Sequence, residues 1–110
     1  MKIQEWRTQI DEVDRQLVRL LSMRAQIAIE IARAKTLQGT SLYDAARETE
    51  VVSGVLRANP GVLTEAALEQ LFRAILRESR EAAARAVAHV TAPADIAAND
   101  TALGARGQGS

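Results

Sequence analysis

The sequence has 110 residues, with 14 lysines and arginines, 14 aspartates and glutamates, a single histidine and no cysteine. The balanced charge gives no indication of nucleic-acid or anionic-membrane binding, and a chain without cysteine has neither a disulfide framework nor a thiolate metal site. The lone His89 argues against a multi-histidine metal site and against a serine or cysteine triad of the usual kind.

The first predicted helix begins within the first six residues and ends near Lys35 or Thr36. It starts with charged residues instead of an apolar run, so we expect no signal peptide and a cytoplasmic protein. Thirty-odd residues without glycine or proline make a helix of about 45 Å. Its apolar residues recur at spacings of three and four, the pattern of an amphipathic helix. This apolar stripe consists of Trp6, Ile10, Val13, Leu17, Leu20, Ile27, Ile31 and Ala34.

Arg24 lies within the apolar stripe, seven residues after Leu17 and seven before Ile31. The arginine therefore points in the same direction as its apolar neighbours, towards whatever the helix packs against. An unpaired buried charge is very costly. The sequence thus predicts that an anion meets Arg24, and this anion is either a protein carboxylate or a ligand.

Two shorter helices follow. The second is predicted from Leu42 or Asp44 to Arg57, where the segment 58–61 (Ala-Asn-Pro-Gly) ends it. The third has Thr64 as its N-cap, with Glu65 in the first turn, and frays between residues 87 and 90. We expect one helical domain over residues 1–90 and a flexible tail over 91–110, which is rich in glycine and poor in large apolar residues.

No segment reads as a strand, so the predicted fold class is all-α, with one long and two shorter helices. Two short helices do not cover so long a helix on all sides. An intertwined homodimer that pairs the long helices of two chains is therefore expected. The alternative is a monomeric three-helix hairpin.

Polar residues occupy apolar positions in all three helices. Taken singly, each has a simpler explanation, such as an exposed ion pair, a serine bonded to its own helix or a favourable charge at a helix C-terminus. Taken together, they predict a polar pocket with excess positive charge, suited to a small anion with more than one carboxylate. These residues are Arg24, Lys35, Asp44, Arg47, Glu48 and Ser79.

Arg7 is a further cation, in the same heptad phase as Lys35 but about 42 Å away along the helix. The two residues therefore do not serve one site within one chain. If the long helices pair antiparallel, Arg7 of one subunit approaches Arg24 of the other. This arrangement predicts a site completed across the dimer.

These residues, in this order and spacing, resemble the all-helical class of chorismate mutases, which also occurs at the N-terminus of bifunctional mutase and prephenate dehydratase enzymes. The resemblance covers about residues 6–86. It lies in Arg7 with the segment 10–14 (Ile-Asp-Glu-Val-Asp), in 20–24 (Leu-Leu-Ser-Met-Arg), in 31–35 (Ile-Ala-Arg-Ala-Lys), in 44–48 (Asp-Ala-Ala-Arg-Glu), and in Leu71-Phe72 followed by Glu78-Ser79.

The resemblance implies a dimer with two sites, each of which borrows one arginine from the other subunit. Arg24 and the partner's Arg7 would bind the two carboxylates of chorismate, and Ser79 would help to hold one of them. Lys35 would donate to the ether oxygen that separates from the ring as chorismate rearranges to prephenate. The reaction, a step of aromatic amino-acid biosynthesis, is unimolecular and needs no cofactor.

At the ring end of the substrate, the resemblance places Asp44 and Glu48, with Glu48 accepting from the ring hydroxyl and Arg47 paired nearby.

One position departs from the family pattern. Good mutases usually have glutamine or glutamate one turn after the serine, as a second donor to the ether oxygen, and here that position is Ala83. Arg80 lies about 100 degrees round the helix from Ser79 and is not expected to replace this donor without distortion. We therefore expect a weak mutase, or one that gains a donor from another element or partner enzyme.

Two other functions remain open from the sequence. An isochorismate pyruvate-lyase has the same helical scaffold and a similar lysine. A non-catalytic helical dimer that regulates the aromatic pathway would also fit, and Ala83 strengthens this second alternative.

Overall fold

The structure of the chain is a computed structural model that describes residues 2–88. It contains three helices, α1 (Ile3–Gln38), α2 (Ala45–Arg57) and α3 (Glu65–Val87), and no strand within these residues. The predicted all-α class, with one long helix and two shorter ones, is confirmed. The expected flexible tail over 91–110, the domain boundary at residue 90 and His89 lie outside the described residues.

The helix ends follow local sequence signals. Asp44 and Thr64 are the N-caps of α2 and α3, and their side chains accept hydrogen bonds from the backbone N–H groups of Arg47 and Ala67. The predicted end of α1 near Lys35 or Thr36 is wrong, because the helix continues to Gln38. It ends at Gly39, whose left-handed backbone (φ 72°) suits a residue without a side chain.

α3 is the helix against which the other two pack, and within residues 2–88 α1 and α2 make no direct helix-to-helix packing. The buried apolar residues lie along these two contacts. Ala32, Ala83 and Val87 form a cluster where the C-terminal half of α1 meets α3, with Ile29 and Leu42 packed against it. Because α1 and α2 share only α3 as a neighbour, a gap remains between them.

The first part of the apolar stripe, in the N-terminal half of α1, is left exposed by the rest of the described residues 2–88. Trp6, Ile10, Val13, Leu17 and Leu20 are each at least half exposed, and together they are the first five members of the apolar stripe. The described chain is long and flat, with dimensions of 58 × 33 × 15 Å. A continuous apolar surface of this kind marks an interaction surface.

None of the helices within residues 2–88 has the length and apolar character that a membrane-spanning segment requires.

Candidate functional site: a cationic cavity between the helices

A cavity of about 320 Å³ occupies the gap between α1 and α2, with α3 as its floor. This volume lies at the lower end of the usual range for small-molecule sites, about 300–1,000 Å³. The predicted pocket residues Arg24, Lys35, Asp44, Arg47, Glu48 and Ser79 all line this cavity. The structure thus brings these six residues together at one cavity, and their roles remain predictions.

Arg24 extends from α1 towards α3, where its Nη1 donates a hydrogen bond of 3.1 Å to Oγ of Ser79. Ser79 is buried, so this bond fixes the guanidinium against the cavity floor. Arg24 itself is half-buried, and no carboxylate within residues 2–88 forms an ion pair with it. A guanidinium has five donors in a planar fork, so Arg24 retains donors for a carboxylate in the cavity.

Lys35 lies in the last turn of α1 and is half-buried at the cavity wall. A cation is favourable there because the last carbonyl groups of a helix carry partial negative charge. Lys35 is eleven residues beyond Arg24, so the two positions are about 16 Å apart along the helix axis. The two cations thus lie at opposite ends of the cavity wall that α1 provides.

α2 supplies the acids. Oδ1 of Asp44 accepts from the backbone N–H of Arg47 at 3.0 Å, so this carboxylate both caps the helix and lines the cavity. Arg47 pairs with the exposed Glu50 at 3.4 Å. A pair of this kind on the surface is weak. Arg47 therefore has no strong partner within α2, and it also lines the cavity.

Arg80 lines the same cavity, although it is not among the pocket residues predicted from the sequence. Its Nη1 donates to Oε2 of Glu48, and its guanidinium lies 4.8 Å from the centre of the Tyr43 ring. Its Cβ atom points about 100 degrees away from that of Ser79 round the helix axis. However, a long arginine side chain reaches round the helix to a wall that is formed by α2. The signal that could have found it is the acid Glu48, which needs a cation on the facing helix.

Arg7 does not line this cavity, as the prediction requires for a residue that acts in the other subunit. It is exposed on α1, 17 residues before Arg24, which is about 25 Å along the axis. The predicted role of Arg7 in the other subunit stays a prediction.

Ala83 is buried and apolar at the cavity floor, one turn after Ser79. It packs in the cluster with Ala32 and Val87. The side chain offers no hydrogen-bond donor. Position 83 therefore presents no polar group to the cavity, as the sequence indicates.

Four cations and two acids line the cavity, and the acids are already engaged by a helix cap and by Arg80. The excess positive charge, held in a small cavity between apolar residues such as Val51 and Leu76, is suited to a compact dicarboxylate. The fold and the cavity together define an all-helical domain with a cavity suited to a small anion.

The chain belongs to the chorismate mutase type II family, which matches residues 6–84. It is also 32% identical over 79 residues to the bifunctional chorismate mutase/prephenate dehydratase of Aquifex aeolicus (strain VF5). That match covers 68% of this chain but 22% of the relative, so the chain spans about a fifth of the length of that protein.

Two solved structures have the same fold. The structure of chorismate mutase (form II) from Thermus thermophilus matches with a TM-score of 0.72 and 34% identity, over 74% of this chain and 92% of that chain. Form I of the same protein matches with a TM-score of 0.70 and 35% identity, over 72% and 99% of the two chains. The predicted resemblance to the all-helical chorismate mutases is confirmed.

Proposed function

We propose that the protein is a chorismate mutase that rearranges chorismate to prephenate, a step of aromatic amino-acid biosynthesis. The observation that supports this most directly is the cavity with an excess of cations, which lies within the segment matched by the family. Chorismate carries two carboxylates, and the proposed site offers arginines to both.

In this proposal, Arg24 binds one carboxylate in the cavity and Ser79 helps to hold it. The partner's Arg7 binds the other carboxylate. Because the reaction is unimolecular, the main contribution of these contacts is to hold the substrate in the compact conformer that reacts. The hydrogen bond from Arg24 to Ser79 supports this role, since it orients the guanidinium before the substrate arrives.

Lys35 donates to the ether oxygen. During the rearrangement the carbon–oxygen bond breaks as a new carbon–carbon bond forms within the same molecule, so no group enters or leaves. Negative charge develops on the ether oxygen in the transition state, and a cation fixed nearby stabilises that charge. At the ring end, Asp44 and Glu48 face the substrate, with Glu48 accepting from the ring hydroxyl and Arg47 balancing their charge.

The proposed active form is a homodimer in which the long helices pair antiparallel. The half-exposed first part of the apolar stripe supports this pairing, because a second copy of the same helix would cover it. Ile27 and Ile31, which line the cavity, are also more than half exposed in the single chain. A partner helix along this stripe would exclude water from the cavity and bring the partner's Arg7 to it.

The experiment that tests the function follows chorismate depletion in the ultraviolet with purified protein, and identifies the products. We expect prephenate, and we expect Lys35→Ala to lower the rate by about 100- to 1,000-fold, because it removes a donor to the developing oxyanion. Arg33→Ala, at a cation that lies two residues away and does not line the cavity, is the matched control and should retain activity.

The products distinguish the alternatives. Pyruvate and salicylate formed from isochorismate would identify the lyase. If neither prephenate nor pyruvate is formed, the non-catalytic regulatory dimer is the remaining function. Prephenate formation that is unaffected by Lys35→Ala would contradict the proposed role of the lysine.

Ala83→Gln should raise turnover, by up to about 100-fold, because it restores a hydrogen-bond donor for the ether oxygen at the cavity floor. The measurement is kcat for prephenate formation. Ala84→Gln, at the exposed neighbouring position of α3, is the control and should change nothing. A folded Ala83→Gln variant whose turnover is flat or lower would show that the missing donor does not limit this enzyme.

A further inference from the structure

Two adjacent residues of α3 join different helices across the cavity. Ser79 accepts from Arg24 of α1, and Arg80 donates to Glu48 of α2. Other arginines of α3 behave differently, since Arg73 and Arg77 pair with acids of their own helix at exposed positions. Arg80 is therefore distinguished both by its partner and by its place at the cavity wall.

The carboxylate of Glu48 is largely withdrawn from water, with its side chain 19% exposed. A carboxylate in that position is costly unless a cation and hydrogen bonds satisfy it. Arg80 provides both. The planar guanidinium also lies over the ring of Tyr43, in the connection between α1 and α2, and this contact limits its freedom to move.

The hydrogen bond occupies only one of the two carboxylate oxygens. Arg80 holds Oε2 of Glu48, a residue that lines the cavity, and no side chain within residues 2–88 holds the other oxygen, Oε1. A glutamate side chain has several rotatable bonds, so without a partner it would lose considerable entropy when a ligand fixes it. The ion pair removes much of that cost before the ligand binds.

We propose that Arg80 is a positioning residue of the site: with Tyr43 behind it, it fixes Glu48 so that Oε1 accepts from the hydroxyl of the substrate. Arg80 acts through Glu48 and does not itself bind the substrate carboxylates. This inference rests on the proposed function. It assigns to Arg80 a task that is separate from the missing donor at Ala83, because the proposed function places Glu48 at the ring end of the substrate, away from the ether oxygen.

A double-mutant cycle tests the proposal. Arg80→Met, Glu48→Gln and the double variant are compared with the unmodified protein for kcat, KM and the dissociation constant of chorismate. We expect Arg80→Met to lower kcat/KM by about 10- to 100-fold, the scale of a misplaced binding group. The double variant should be no worse than Glu48→Gln alone, since a residue that acts through Glu48 has no effect once that carboxylate is gone. Arg77→Met, at an exposed arginine of α3, is the matched control and should have no effect.

Arg80→Lys supplies the second variant. It keeps the charge but loses the planar fork, so it should recover part of the activity only when Glu48 is present. This comparison also applies if Arg80→Met does not fold. Independent, multiplicative effects of the two changes would overturn the proposal, and so would full activity of Arg80→Met. Both outcomes leave the proposed function intact. An unmodified chain that neither binds nor converts chorismate would overturn both.

Discussion

We expect Arg24→Ala to lower kcat/KM for chorismate by about 1,000-fold or more, because it removes a guanidinium that holds a carboxylate in a partly desolvated cavity. The chain should stay folded. Arg24 meets the hydroxyl of Ser79 and no carboxylate within residues 2–88, so its removal leaves no buried charge uncompensated. Loss of the hydrogen bond to the buried hydroxyl of Ser79 should cost about 1–3 kcal/mol of stability, which leaves the fold intact.

The measurements are the steady-state kinetics, the affinity for chorismate and the thermal unfolding of the variant. Arg15→Ala is the matched control on the same helix, where an exposed pair with Glu12 contributes little. Arg24→Lys should give intermediate activity, since an ammonium keeps the charge but not the bidentate geometry. An Arg24→Ala variant that unfolds would show that the arginine holds the scaffold together instead of binding the substrate.

A mixture of two inactive variants should regain activity. If each site combines Lys35 of one chain with Arg7 of the other, a dimer of one Arg7→Ala chain and one Lys35→Ala chain has one intact site and one doubly defective site. Random exchange makes half of the dimers mixed, so the mixture should reach about a quarter of the unmodified activity. Each variant alone should lose most of its activity, because every site then lacks one cation.

The measurement is the rate of prephenate formation before and after the two variants are unfolded together and refolded. A refolded mixture of Arg24→Ala and Lys35→Ala is the matched control. Those two residues line the same cavity in one chain, so mixing leaves every site with a defect and restores nothing. If the Arg7→Ala and Lys35→Ala mixture also stays inactive, Arg7 does not act across a dimer.

Much of the fold was predictable because its signals are local. Thr64 was visible as a cap, Asp44 as a possible start of the second helix, and the spacing of the apolar stripe indicated a single long helix. The end of α1 was less predictable. Leu37 and Gln38 are good helix formers, and the helix continued until Gly39 provided a left-handed residue.

The candidate site was predictable where a charge stood in an apolar position, as Arg24 does. Arg80 was missed because its backbone points away from Ser79, and only the placement of α2 beside α3 brings Glu48 within reach of its side chain. That placement is tertiary information. Likewise, the sequence indicated that Arg24 should meet an anion, whereas the chain itself offers it the hydroxyl of Ser79.

The lack of direct packing between α1 and α2 has a consequence for how the domain opens. α2 is anchored through its contact with α3 and through the short connection after Gly39, and Val52 is its one buried residue. Local unfolding of such a weakly anchored segment costs less than global unfolding. It would remove the acidic wall of the cavity while α1 and α3 stay packed. A ligand that contacts all three helices would therefore disfavour this local unfolding, and part of its binding free energy would stabilise α2 in its place against α3.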